Sequence, residues 1–345
     1  MKAVLLKKEK NSLGHYIVRP EHVETPRLTE PGTVLIKLAA AALNHRDVWM
    51  TQGLYPGLQF DSVLGADGAG TVVGAHSEAD KARWIGRRVL INSSYHWGPD
   101  HMRPSKDFKI LGLKPLPGTL AEYIVVPVGQ IAEVPQHLDF IQAAAIPLAG
   151  ITAYRAVFTK GQVEKGRRVL VTGIGGGVAL FALQFALAAG AKVWVTSSSD
   201  DKIQRAIKLG ATGGANYTQD NWDTKLLKEA GPFDSIIDSA GGDNVVLYVK
   251  MLGMGGTLSF YGATAGRDTS LILPLVFLKN VDIRGVSMGS DTDFTGMMKL
   301  IADTKLVPVV DSVRPFSKTT DAFEEMRLGK QFGKLVIDIS TKSSL

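Results

Sequence analysis

Arg168-Val169-Leu170-Val171-Thr172-Gly173-Ile174-Gly175-Gly176-Gly177-Val178-Ala179 opens the stretch that decides the fold. A β-branched run leads into a glycine cluster, then into the almost wholly apolar segment Leu180 to Ala189. Gly190 closes that segment, and Lys192-Val193-Trp194-Val195 forms a second β-branched run. The order reads as strand, turn, helix, strand. Glycines between a strand and a helix let the backbone approach a diphosphate with no Cβ in the way, and the helix start offers N–H groups and a positive dipole end to the anion. A tight turn alone would explain the glycines equally well. Their place inside a βαβ unit points to a dinucleotide site, although the closing small position is Ala179 rather than glycine. Gly176, Gly177 and Val178 are expected to cover the diphosphate.

The end of the second strand bears on the choice of cofactor. NAD sites usually place Asp or Glu about 20 residues past the glycines, where it accepts from the ribose 2′-hydroxyl. Here the strand runs into Thr196-Ser197-Ser198-Ser199-Asp200-Asp201-Lys202, with Ser197 first after it. No carboxylate stands at that point to repel a 2′-phosphate. Ser197, Ser198 and Lys202 can hold that phosphate by charge-assisted hydrogen bonds, so NADPH is the expected cofactor. The plainer alternative is that Ser199 or Asp200 caps a helix from Lys202 to Leu209 with Lys202 solvated. Both can hold at once. Strands that end in a parallel sheet's cleft add Ser239, Ala240, Gly241 and Gly262 to the cofactor set, on the nicotinamide side.

Working outward, the texture of the chain changes twice. Up to about residue 125 it offers short β-rich runs broken by Gly and Pro: Val34-Leu35-Ile36-Lys37-Leu38, Gly70-Thr71-Val72-Val73-Gly74, Arg88-Val89-Leu90-Ile91 and Glu122-Tyr123-Ile124-Val125-Val126. From about Pro127 to Gly289 strands alternate with helices, which indicates a parallel sheet covered on both faces. The tail from Ser290 reads as helix, strand, helix, strand. At 345 residues the chain suffices for two domains. A formal charge of +6 is spread along the chain, which gives nucleic acid little support and suits an anionic cofactor. Cysteine is absent, which removes disulfides, thiol catalysis and thiolate metal sites. Nothing is apolar enough for a signal peptide or a membrane span, so a cytoplasmic enzyme is expected. The ending Ser343-Ser344-Leu345 bears only a faint likeness to a peroxisomal address and reads as a frayed tail.

Separate segments then carry a family resemblance: Asn44-His45-Arg46-Asp47, Gly65-Ala66-Asp67-Gly68-Ala69-Gly70, Gly86-Arg87-Arg88-Val89, Gly118-Thr119-Leu120-Ala121-Glu122-Tyr123, and Ala143 through Tyr154. In order and spacing they resemble the medium-chain dehydrogenase/reductase superfamily, which includes zinc alcohol dehydrogenases and zinc-free quinone oxidoreductases. The resemblance implies an α/β protein with a Rossmann domain, a doubly wound parallel sheet, at 127–289. It also implies a GroES-like, β-rich catalytic domain from 1–126, with 290–345 returning to it. It adds Thr152 and Tyr217 to the cofactor contacts, the latter beside the adenosine phosphate.

The departures from that family carry the chemistry. Zinc alcohol dehydrogenases hold their catalytic metal with Cys in a Cys-His-x-Asp segment, His in Gly-His-Glu, and a Cys before Ala-Gly-Ile-Thr. The matching positions here are Asn44, Ala66 and Leu148, none of which is a proper zinc ligand. The stretch matching the structural zinc lobe, 92–112, lacks the four cysteines; His96, Asp100, His101 and Asp107 are the imaginable substitutes, and local packing is the simpler reading. No metal is expected. Without a Lewis acid to stabilise an alkoxide, hydride donation to an acceptor with its own electron sink is the easier reaction.

The branch resembled, through Asn44-x-x-Asp47 and Gly53-Leu54-Tyr55-Pro56, reduces quinones and α,β-unsaturated carbonyl compounds with NADPH. Asn44, His45 and Asp47 are the catalytic candidates: Asn44 as donor to a substrate oxygen, His45 as proton relay or diphosphate contact, Asp47 as orienting group or contact to the nicotinamide ribose. Loop pinning, local packing and capping of a helix from Val48 to Gln52 are their plain alternatives. Tyr55, Tyr95 and Trp97 are candidate walls of the substrate cleft, with ordinary core packing as the alternative for each. A carbonyl/alcohol oxidoreductase and a non-catalytic NADPH-binding regulatory protein remain as other readings. The segment Val281 to Ser287 reads as the sheet's edge strand, where related dehydrogenases join, so a homodimer is expected.

Overall fold

The stretch from Arg168 folds as strand, turn, helix and strand in the computed structural model, which describes residues 1–340. Residues 341–345, and with them Ser343-Ser344-Leu345, lie outside the described residues. The chain forms two compact units. One spans Ala149–Met297, and the other combines Met1–Leu148 with the chain from Met298 onward.

In the unit Ala149–Met297, Arg168–Val171 pairs in parallel with Lys192–Ser197 on one side and with Phe233–Asp238 on the other. Six strands make up this all-parallel sheet. Numbered by position along the chain, they lie in the order 3-2-1-4-5-6, the doubly wound order of dinucleotide-binding domains. Its inner strands are apolar on both faces because helices cover both faces. The helix Gly177–Ala188 is apolar nearly all round and therefore buried, with Phe181, Leu183 and Phe185 inside. A second cluster, including Trp194, Phe233, Tyr248 and Leu258, fills the space beneath the later strands. The turn needs its glycines: Gly173 has φ +63° and Gly175 φ +121°, values at which a Cβ is strained.

The other unit is built on a seven-stranded, mostly antiparallel sheet. Its central strand Thr33–Ala42 pairs with Asp67–Ala75, with Tyr123–Pro127 and with Lys334–Asp338. The last pairing returns the strand Lys334–Asp338 to the sheet of the first residues. Residues 127–148, which the sequence grouped with the alternating region, pack here instead. The cause is Ile131–Glu133, which adds an antiparallel strand to Arg88–Ile91. Register then positions the functional groups. Ala42 stands opposite both Asp67 and Val336, so the strand ends carrying Leu43-Asn44, Asp67 and Lys334 meet at one point. Among the described residues no helix is long and apolar enough to cross a membrane.

Candidate active site and cofactor platform

The three positions where the family's zinc ligands would stand converge on one buried carboxylate, that of Asp67. Asn44 Nδ2 donates to Asp67 Oδ2 at 2.8 Å, and the backbone N–H of Leu148 donates to Asp67 Oδ1 at 2.7 Å. Ala66 contributes only a methyl group and a carbonyl, which accepts from Ser93 Oγ at 2.6 Å. The centre is completed by Lys334, whose ammonium donates to Leu43 O at 2.7 Å, Asn44 Oδ1 at 2.7 Å and Asp67 Oδ2 at 2.9 Å. Lys334 is 3% exposed and Asp67 fully buried, so the pair sits in low dielectric, with all three ammonium donors used. This donor set does not fit zinc: an amide committed to two partners, a methyl, an alkyl side chain and a cation offer no tetrahedral set. Asn44's orientation is fixed as well. Its carbonyl faces the ammonium and one N–H faces Asp67, which leaves the second N–H of the amide for another acceptor.

The helix of this site starts earlier than the sequence suggested, at His45 rather than Val48. Asp47 therefore does not precede it as a cap. It lies inside the first turn, its Oδ2 accepting the backbone N–H of Asn44 at 2.8 Å. Asp47 is fully buried, and desolvation, partly offset by the charge of Arg46, pushes its carboxyl above the ordinary range. His45 packs edge-on against Trp49, with ring centroids 5.1 Å apart. The residue is exposed, yet partial desolvation pulls its imidazole below its ordinary value.

The three aromatic candidates separate. Tyr55 is half-buried, with the guanidinium of Arg46 over its ring at 5.0 Å. Tyr95 is 3% exposed, its hydroxyl buried without a hydrogen-bond partner among the described residues, and desolvation raises its pKa well above the phenol value. Trp97 does not line a cleft. Its indole N–H donates to Asp100 O at 3.0 Å and its ring meets Phe108 edge-on, so it is the core of the 92–112 lobe. Ser105 Oγ, donating to His96 O at 2.6 Å, closes the same lobe. Among the described residues no group of three or more metal-capable side chains is assembled, in this lobe or elsewhere.

The cofactor candidates lie in the unit Ala149–Met297, most of them just beyond the carboxyl ends of its strands, with Thr152 on the helix Pro147–Tyr154 and Lys202 on the helix Asp200–Lys208. Gly176 caps the helix that Gly177 and Val178 begin. The glycine turn is tied to the second strand through Ile174 N to Thr196 O at 2.8 Å and Gly173 N to Thr196 Oγ1 at 3.3 Å. Ser197 is buried, its Oγ accepting from the Ser199 N–H at 3.2 Å, while Ser198 is exposed and Lys202 half-buried. Ser199, not Asp200, caps the next helix, which runs Asp200–Lys208. Asp200 is held aside by Asn216 Nδ2 at 3.0 Å. Tyr217 is exposed, its backbone N–H bonded to Ser197 O at 3.0 Å. Thr152 is buried, with Met288 Sδ 3.9 Å from its hydroxyl.

On the other side of the first strand, Asp238 organises the turn Ser239-Ala240-Gly241. Its carboxylate accepts from Ala240 N at 3.1 Å, Gly241 N at 2.8 Å and Thr172 Oγ1 at 2.6 Å. Burial raises its pKa against the pull of those bonds. Gly262 packs so closely on this turn that a Cβ there would lie 2.8 Å from Ser239 O. These residues form a continuous polar platform whose backbone N–H groups and glycine turn fit a dinucleotide.

Five functional residues escaped the sequence reading: Arg46, Asp67, Thr172, Asp238 and Lys334. Asp67 and Lys334 left a signal, a charge at the end of an otherwise apolar strand. The signal was ambiguous because their partners are 267 residues apart in sequence.

Residues 30–136 match the family described as alcohol dehydrogenase GroES-like domain, and residues 177–303 the one described as zinc-binding dehydrogenase. The chain is 40% identical to the zinc-type alcohol dehydrogenase-like protein YogA of Leptosphaeria maculans, over 96% of this chain and 98% of that one. It is 29% identical to an acryloyl-coenzyme A reductase of Metallosphaera sedula, over 98% of this chain and 99% of the relative. A crystal structure of an NAD-dependent alcohol dehydrogenase superposes with a TM-score of 0.89 at 31% identity, covering 99% of this chain and 100% of the other.

Proposed function

Because this chain belongs to the medium-chain dehydrogenase/reductase superfamily, we propose that it is an NADPH-dependent oxidoreductase that reduces quinones or α,β-unsaturated carbonyl compounds without zinc. The observation that carries this reading is the Asn44–Asp67–Lys334 centre at the positions of the metal ligands. An internal ammonium and carboxylate neutralise each other there, so the unit supplies no Lewis acid to an alcohol. It supplies a hydrogen-bond donor instead: the second N–H of Asn44, whose direction the ion pair sets. Such a donor suits an acceptor whose own conjugated carbonyl takes up the electron pair, since it stabilises the developing enolate or quinol oxygen.

Bound nicotinamide supplies the hydride; the chain's part is to hold the dinucleotide and the acceptor. Gly176, Gly177 and Val178 offer backbone N–H groups to the diphosphate. Ser197, Ser198 and Lys202 suit a 2′-phosphate, and the absence of an acid at Ser197 supports NADPH over NADH. The turn Ser239-Ala240-Gly241, fixed by Asp238, supports the nicotinamide half. A reductase of an unsaturated acyl compound among the relatives agrees with the reaction class. The structural neighbour named as an NAD-dependent alcohol dehydrogenase favours the second reading, a carbonyl/alcohol oxidoreductase.

Steady-state NADPH oxidation by chelator-dialysed protein, against quinones, enones, enals, aldehydes and, in reverse, alcohols, separates the two. Turnover of quinones or enones without added metal supports the reductase. Turnover confined to aldehydes and alcohols, appearing only when zinc is restored, overturns it.

A further inference from the structure

The helix His45–Thr51 buries a guanidinium that its surroundings satisfy only in part. Arg46 is 6% exposed. Its Nη1 donates to Leu111 O at 2.7 Å, and its plane lies over the Tyr55 ring at 5.0 Å. Those two contacts fix the side chain. Nε and Nη2, both buried, have no hydrogen-bond partner among the described residues.

Together these nitrogens form one edge of the guanidinium, with two N–H groups side by side. Elsewhere in this chain the same edge meets a carboxylate: Arg167 lays Nε and Nη2 on Glu164, and Arg314 lays them on Glu325. Other buried cations are served differently. Lys334 has three acceptors, and Arg155 is paired with Asp293 at 2.7 Å. A buried guanidinium with two unpartnered N–H groups is expensive unless an acceptor completes it.

We propose that the unpartnered edge of Arg46 is a binding site for a carboxylate, and that the acceptor this protein reduces is an enone or quinone bearing one. The second half of this rests on the reductase reading above. A planar oxyanion offers two acceptors at the spacing of the edge and neutralises the charge, which a single carbonyl oxygen does not. Tyr55 stacks on the guanidinium and leaves that edge clear of its own hydrogen bonds. Asp47, the adjacent acid, has Oδ1 without a hydrogen-bond partner among the described residues. Burial pushes its carboxyl above the ordinary range, against the pull of the Arg46 charge beside it.

The test uses two matched pairs on the full-length protein. Binding is measured by calorimetry with levulinate and methyl levulinate, which cannot undergo conjugate reduction. Turnover is measured with trans-4-oxo-2-pentenoate and its methyl ester, with NADPH. Wild type is expected to bind levulinate at least tenfold more tightly than the ester and to favour the unsaturated carboxylate similarly in kcat/KM. Arg46→Met should lose ten- to hundredfold on both carboxylates and little on the esters, with Arg46→Lys in between. Urea unfolding and NADPH affinity check that the variants are folded.

Equal binding of levulinate and its ester by wild type, or levulinate binding unchanged in Arg46→Met, overturns the proposal and leaves a trapped water as the partner of Arg46. If the neutral ester is still reduced in that case, the reductase reading stands alone. Arg46-dependent levulinate binding with no acceptor reduced would keep the carboxylate site and remove the reductase.

Discussion

Asn44 shows how far one substitution reaches at the scale of a residue. Its amide bonds both Asp67 and Lys334, and that ion pair is an internal cross-link between the strands Asp67–Ala75 and Lys334–Asp338. Removing one partner leaves the other buried and uncompensated, so Lys334→Met should lower stability by about 3–5 kcal/mol, read from urea unfolding. A loss under about 1 kcal/mol would mean that water reaches Asp67. Cofactor choice is a second residue-scale property. Lys202→Ala should weaken NADPH about ten- to hundredfold and leave NADH nearly unaffected, the usual effect of losing a charge-assisted partner. Ser197→Asp should shift preference towards NADH. Equal losses for both cofactors in titration would argue against a 2′-phosphate contact. Gly176, Gly177, Ser197 and Ser198 stand out in the sequence because they lie within or directly beside one βαβ unit. Asp238 does not, because its role depends on Thr172 from a strand 66 residues earlier. Trp97 misled for a related reason: its neighbours suggest a cleft wall, and only the fold of 92–112 shows it to be a local core.

Elements were easier to read than their ends. Arg88–Ile91 and Phe233–Asp238 fall where apolar runs put them, since period and β-branching report directly on burial in a sheet. Thr33–Ala42 extends beyond the expected Val34–Leu38 because pairing with Asp67–Ala75 continues through four consecutive alanines, which carry little strand signal of their own. Helix starts were set by side-chain bonds instead: Asp47 reaching back to Asn44, and Ser199 to Lys202. The turn after the first strand of the parallel sheet is the element most tightly specified by residue type. Gly175→Ala places a Cβ at φ +121°, which should cost of order 1–3 kcal/mol in stability. NADPH binding should weaken as well, because the turn would relax away from the diphosphate. Calorimetric titration showing wild-type NADPH affinity in that variant would remove the turn from the cofactor site.

For the whole molecule, the division into two units follows from sequence texture, while the seam does not. Residues 127–148 show a helical pattern yet join the antiparallel unit, because the short strand Ile131–Glu133 commits them to Arg88–Ile91. Assembly is argued at this scale too. Asp282–Gly285 ends the order of the parallel sheet, and the helix Leu273–Lys279 before it exposes Leu273, Phe277 and Leu278. An open strand edge beside exposed apolar side chains favours pairing with a second copy. Sedimentation should therefore give a dimer at micromolar concentration and a monomer for Phe277→Asp; a monomeric wild type would contradict this. The central claim is hydride transfer to a conjugated acceptor by a centre without a metal. It is tested most directly by incubating chelator-dialysed protein with NADPH deuterated at the transferable position and a simple enone, then locating the deuterium by mass spectrometry and NMR. The account predicts a saturated ketone labelled at its β-carbon. Label on the carbonyl carbon of an alcohol product, or transfer that begins only when zinc is added, would contradict it.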